Sequence, residues 1–135
     1  MKQRVVFKLV FELDGIFYSS NKDGLPEPFV LQYKIGVKTI PKIGRIFAFD
    51  TLQHAVDFIP YAGTHHIFLL KGIATEFGRP NYMAIMRNYP YSEIMQFWGT
   101  KKLKHRLTYR FCKTTPPGSL SCSSFTPNEI VGVPQ

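Results

Sequence analysis

Apolar residues alternate with polar or aromatic ones from Val5 to Leu13, and the alternation resumes from Ile16 to Ser19 after Asp14-Gly15. A period of two places successive side chains on opposite faces of a strand, and Asp-Gly supplies the positive φ angles of a tight hairpin turn. The chain is therefore predicted to open with a β-hairpin. Asn21 to Pro28 (NKDGLPEP) gathers turn-forming residues and predicts a loop. Phe29 to Ile35 predicts a second strand region, with Gly36 permitting a bulge or turn after it. Beyond Pro41 and Gly44, Arg45 to Phe49 (RIFAF) predicts a short buried strand.

The stretch from Gln32 to Phe58 says most about architecture, because its hydrophobic period changes from strand to helix at Asp50. Asp50 followed by Gln53 has the spacing of a capping box, and Leu52, Ala55, Val56 and Ile59 recur at helical intervals until Pro60, which is predicted to stop the helix. His65 to Ala74 then predicts a long buried strand. Thr75 to Pro90 reads mostly as loop, with one helical turn around Tyr82 to Met86. Ser92 to Trp98 predicts a short helix with a Ser cap. Leu103 to Cys112 reads as a strand, Thr114 to Ser124 as a Pro/Gly/Ser loop, and Phe125 to Val133 as containing a final short strand. The predicted fold class is α+β, a strand-rich single domain over residues 1–135. It has twisted antiparallel or mixed sheets, one capped helix after Asp50 and a second short helix near Ser92.

Composition fits that picture. A chain of 135 residues can bury one core without disulfides or metals. Twelve Phe and seven Tyr fall mostly inside the alternating runs, where aromatics suit half-buried strands. Phe47, Phe49, Phe58, Phe68 and Phe77 occupy apolar phases and are expected in the core. No apolar run is long enough for a membrane-spanning helix, and Lys8 and Glu12 interrupt the N-terminal apolar stretch, so it reads as a strand and not a signal peptide. A cytoplasmic or otherwise intracellular protein, not a secreted one, is the expectation. Cys112 and Cys122 are compatible with a pairing across a hairpin, although the intracellular reading favours reduced thiols.

Charge changes the picture more. Seventeen Lys and Arg against nine Asp and Glu give a net charge of +8, which favours an acidic partner: nucleic acid or an acidic protein. No Asp or Glu occurs from Ile94 to Asn128, and within that stretch lie Lys101, Lys102, Lys104, Arg106, Arg110 and Lys113. In an extended strand Lys104, Arg106, Thr108 and Arg110 share one face, a basic ribbon able to neutralise phosphates. The same pattern also serves a solvated strand that protects a sheet edge. Tyr82, Tyr89, Tyr91, Phe97 and Trp98 cluster in an irregular Pro-containing stretch and are candidate interface aromatics.

Catalytic motifs are missing. There is no GxGxxG, no GxxxxGK loop, no GxSxG turn, and no HExxH or CxxC pair for a metal. His65 and His66 are adjacent and would point to opposite faces of a strand. His54 and Asp57 share a helical face but make only two ligands, so no metal site is predicted. Ser119 to Ser124 reads as loop and not as a nucleophile site.

One resemblance can be drawn. Tyr33-Lys34-Ile35-Gly36, Pro41, the strand Gly44-Arg45-Ile46-Phe47-Ala48-Phe49, a short helix from Asp50 with Ala55 and Phe58, and the strand His66 to Gly72 follow in an order that resembles small domains of the ADP-ribosyltransferase-like fold. The tail Ser124-Phe125-Thr126-Pro127-Asn128-Glu129-Ile130-Val131 is similar to their closing strand. The resemblance implies an NAD cleft between two small sheets, with Arg4 or Lys8 as the early basic residue, Tyr18-Ser19-Ser20 as the Tyr-bearing segment, and Glu129 or Glu93 as the late acid. The family's catalytic triad is not matched, since Tyr18 to Ser20 follow a hairpin and Glu93 falls in a predicted helix. No catalytic residue is therefore assigned. A non-catalytic module with a basic face for an anionic macromolecule is expected, with no cofactor. The alternative is a minimal NAD-dependent transferase.

Overall fold

The alternation at the start of the chain builds β1 (Gln3–Leu13), which turns at Asp14-Gly15 into β2 (Ile16–Tyr18). Both turn residues take positive φ, 54° and 82°, as a type I′ hairpin requires. The Gly15 amide donates to Glu12 Oε2 at 2.7 Å and fixes the turn further. The computed structural model describes residues 2–19, 30–42, 44–62, 67–79, 82–84, 112–114 and 116–132. The remaining elements are β3 (Gln32–Tyr33), β4 (Ile46–Phe49), α1 (Leu52–Ala62), β5 (Ile67–Thr75), β6 (Tyr82–Ala84), β7 (Cys112–Thr114), β8 (Ser119–Cys122) and β9 (Ser124–Val131).

Seven strands form one antiparallel sheet, and β6 pairs with β7 in a separate two-stranded sheet. One edge of β1 pairs with β5 from Gln3 to Phe11, while the other takes β2 at Phe11 to Leu13 and β4 at Phe7. β4 continues to β8, and β5 continues to β9. The chain after β3 then crosses to the outer edge of β9. There Thr39 N–H donates to Phe125 O at 2.8 Å, Phe125 N–H donates back at 3.1 Å, and Gly36 N–H donates to Pro127 O at 2.7 Å. Through these bonds the path β9, β5, β1, β2, β3 and the Thr39 segment closes into a ring. Closure covers strand edges that would otherwise invite pairing with other chains.

Alternation on β1 and β5 sorts the apolar residues into two clusters. Val6, Val10, Leu70 and Ala74 turn inward with Tyr33, Ile46, Ala48, Leu120, Cys122 and Phe125. Leu9, Leu69 and Phe49 turn the other way, beneath α1 and its Ala55. Aromatic pairs lock both sides: Tyr33 meets Phe125 edge-on at 5.8 Å and Phe17 meets Phe68 at 5.5 Å, while Phe49 lies 5.3 Å from Phe58 of the helix. Phe68 and Phe77 pack against the inner cluster, and Phe47 is half-buried.

Several expectations are corrected. The helix cap is Thr51, whose Oγ1 accepts the His54 amide at 3.1 Å, and not Asp50. Asp50 is drawn away because its carboxylate is occupied by other side chains. Nor does Gln53 complete a capping box; its amide donates to Asp57 at 2.7 Å. Pro60 does not stop the helix, which runs on to Ala62. Placed in the last turn, it removes only the bond to the carbonyl of Val56. Tyr82 to Ala84 form a strand and not a helical turn, because β7 pairs with them. The segment read as a loop from Thr114 to Ser124 contains β8, buried along its length. The predicted helix near Ser92, the Asn21 to Pro28 loop and the strand from Leu103 to Phe111 lie outside the described residues.

Candidate functional site

Two groups of titratable side chains stand out, one at the surface where β4, α1 and β8 meet, and one inside the sheet. At the junction, the Asp50 amide donates to Gly118 O at 2.8 Å and holds the end of β4 to the turn before β8. Its Oδ1 accepts from His54 Nδ1 at 2.6 Å, one helical turn on, and its Oδ2 accepts from Arg79 Nη2 at 2.8 Å. Arg79 also reaches Ser119 O at 3.3 Å through Nη1. Burial works against ionisation of Asp50, but the bonds and charges of His54 and Arg79 outweigh it and hold the carboxyl below its ordinary value. Gly118 has φ of 81°, and a Cβ there would collide with the His54 ring and with Asp50. Only glycine fits on both grounds.

With Nδ1 turned to the carboxylate, it is Nε2 of His54 that points away from Asp50. Two hydroxyls lie at this junction: Ser119 Oγ donates to Pro116 O at 2.6 Å, and Thr51 Oγ1 accepts the His54 amide. The arrangement ties β4, α1 and the start of β8 together. His54 and Asp57, expected on one helical face, have separate partners, Asp50 and Gln53. Among the described residues no group of three or more His, Cys, Asp or Glu could hold a metal ion.

Inside the sheet, Lys8 sits between Val6 and Val10 on the inward face of β1, opposite Leu70 in register. Burial of its amine lowers its pKa to about 8, against a smaller opposing pull from Cys122. Burial likewise pushes the Cys122 thiol up to about 11, although Lys8, Arg45 and the Ser124 amide oppose it. Cys122 is a free, buried thiol, 3.6 Å from the carbonyl of Ile46. Burial drives the Tyr33 phenol upward as well, and among the described residues its hydroxyl has no hydrogen-bond partner. Tyr33 and Cys122 thus share one apolar interior, and the half-buried Lys8 borders it. Next to them, Arg45 secures the strand pair: its Nε donates to Ser121 Oγ at 3.0 Å, and its Nη2 to the carbonyls of Ser121 and Glu76.

The residues singled out from sequence are placed unevenly. Arg4 and Lys8 lie on the inward face with Val6 and Val10, and the Arg4 guanidinium stands 5.7 Å from the Phe77 ring centre. Glu129 pairs with Lys71 at 3.6 Å, opposite Phe7 on the other face, and Tyr18 stands opposite Phe11 on that face too. The sheet itself therefore separates Lys8 from Glu129 and Tyr18. Ser19 Oγ accepts the Leu31 amide at 2.9 Å. Glu93 and Ser20, together with Lys101, Lys102, Lys104, Arg106, Arg110, Tyr89, Tyr91, Phe97 and Trp98, lie outside the described residues. Tyr82 and Lys113 belong to β6 and β7, whose register sets Tyr82 opposite Thr114 and Met83 opposite Lys113.

Sequence reasoning missed Arg79, because no local spacing links it to Asp50. It missed the inward placement of Lys8 for the opposite reason, since a lysine within an alternating run reads as a solvent-facing residue. No helix among the described residues is long and apolar enough to cross a membrane. Comparisons with protein-family models, curated proteins and solved structures gave no match.

Proposed function

We propose that this chain is a non-catalytic interaction module, its core of the ADP-ribosyltransferase-like kind, whose basic face binds an anionic macromolecule, with nucleic acid as the partner. The observation that carries this reading is the register of β6 and β7. Tyr82, at the start of the aromatic stretch, stands opposite Thr114, and Lys113, at the end of the basic run, stands opposite Met83, so both stretches are anchored on one ribbon. The chain from 85 to 111, which holds the other interface aromatics and five of the six ribbon cations, leaves and returns at that ribbon. Cations for phosphates and rings for bases are thus carried on one excursion. That pairing of residue types favours single-stranded nucleic acid over an acidic protein.

Charge elsewhere supports the reading. Asp50, Asp57 and Glu129 are engaged by neighbouring side chains within the fold, and Glu12 by the Gly15 amide, so each has an internal partner. The test is the triple reversal Lys104→Glu/Arg106→Glu/Arg110→Glu, with binding to a fluorescent single-stranded oligonucleotide and to polyglutamate measured at low salt. Loss of oligonucleotide binding by the variant is expected. Unchanged binding to every acidic polymer would overturn the proposal. Transfer of label from NAD that depends on Glu93 or Glu129 would replace it with a transferase.

A further inference from the structure

A second basic surface lies far in sequence from the 101–113 run. Residues 28–49 contain no Asp or Glu but carry Lys34, Lys38, Lys42 and Arg45. The three lysines are exposed, and the apolar residues between them are exposed too: Ile35 at 40%, Val37 at 48% and Ile40 at 64%. Frayed chain does not account for this. Val37 N–H donates to Lys34 O at 2.9 Å and Gly36 has φ of 81°, which together define a type II turn with Ile35 at its corner. The two-way bonds of Thr39 with Phe125 and the bond of Gly36 to Pro127 pin the strap to β9, while Thr39 Oγ1 donates to Gln32 O at 3.0 Å. The strap is held rigid with its aliphatic side chains outward.

We infer that the strap from Lys34 to Lys42 is a docking surface for an anionic phospholipid bilayer. Its composition decides between polyanions. Aliphatic side chains between lysines gain by entering the acyl boundary of a membrane, while the lysine stems lie along it and their amines meet the headgroups. Bases in a nucleic acid would instead call for aromatic faces, and the nearest ring, Tyr33, is turned into the core. Arg45, the one guanidinium of the stretch, is bound to Ser121 and to the Glu76 carbonyl, leaving lysines as the outward cations. The nearest carboxylate on the supporting strand, Glu129, is paired with Lys71. This inference is independent of the proposed nucleic-acid surface.

Flotation of the full chain with vesicles of phosphatidylcholine, with or without phosphatidylserine, tests it. Binding that requires phosphatidylserine is expected. A lysine near an anionic surface contributes about fivefold in affinity, so Lys34→Gln/Lys38→Gln/Lys42→Gln should weaken vesicle binding about a hundredfold. Ile35→Asn/Ile40→Asn keeps the charge and should weaken it about tenfold or more. Both sets replace exposed side chains, and thermal melts followed by circular dichroism read whether the variants remain folded. Absence of vesicle binding by the unmodified chain would overturn the inference. So would binding that survives both sets of substitutions, or binding that the lysine changes abolish while the isoleucine changes leave it intact, since charge alone would then suffice.

Discussion

The Asp50 junction and the Lys8 interior are both polar clusters at the edge of an apolar core, yet they bear on stability in opposite ways. At the junction, each oxygen of Asp50 has a cationic or imidazole donor, and Gly118 leaves room for the ring. Inside the sheet, Tyr33 and Cys122 are buried with Lys8 half-buried beside them, and among the described residues the Tyr33 hydroxyl has no partner. The difference shows that enclosure by itself does not stabilise polar groups. Matched donors and acceptors do, and without them burial costs free energy.

Substitutions at the two clusters should therefore differ in sign as well as size. The largest effect is expected for Gly118→Ala, which forces a Cβ into the His54 ring at a positive φ and should cost about 3 kcal/mol in urea denaturation. A cost below about 1 kcal/mol would mean that the junction is loosely packed. Asp50→Asn, which keeps the shape but removes the charge facing Arg79, should cost about 2 kcal/mol at neutral pH. Because the folded-state pKa of Asp50 is depressed, its contribution is present above the ordinary value of 3.8 and is lost as pH falls through the lower folded value. The variant's stability should therefore converge on that of the parent chain in acid.

In the interior the sign reverses. Lys8→Met should stabilise the fold by about 1 kcal/mol, since it replaces a partly desolvated amine with an apolar chain of similar length. Between about pH 8 and 10.5 the unfolded chain retains a Lys8 proton that the folded chain releases, so stability should climb with pH across that window. Thermal melts of the methionine variant should lack that climb, and a variant less stable than the parent would show that Lys8 has a productive partner. Tyr33→Phe is the smallest perturbation, expected to be neutral or slightly stabilising, within about 1 kcal/mol, because the lost hydroxyl satisfies nothing.

What the sequence revealed follows the same division between local and distant interactions. The first hairpin, β4, the helix after Asp50 and β9 were legible because period, turn residues and capping types act over a few neighbours. β8 and the first residue of β9 were not, because Ser119, Ser121 and Ser124 read as loop residues until their partners are known. Ser121 Oγ accepts from Arg45, Ser124 bonds Thr75, and both partners lie more than forty residues away. The cap moved from Asp50 to Thr51 for the same reason, since Arg79, in the segment after β5, competes for the carboxylate. The Lys34 to Lys42 strap was legible as composition but not as surface, because its exposure depends on how β9 receives it.

Neutralisation of phosphates by the 101–113 run, as proposed, requires oligonucleotide binding to depend on salt. Titrations of a single-stranded oligonucleotide across a salt series should give a negative slope of log affinity against log salt for the parent chain. With about 0.7 in slope for each phosphate neutralised on a single strand, Lys104→Glu/Arg106→Glu/Arg110→Glu should make that slope shallower by about 2. A parent chain that does not bind, or a slope left unchanged by the triple reversal, would contradict the account.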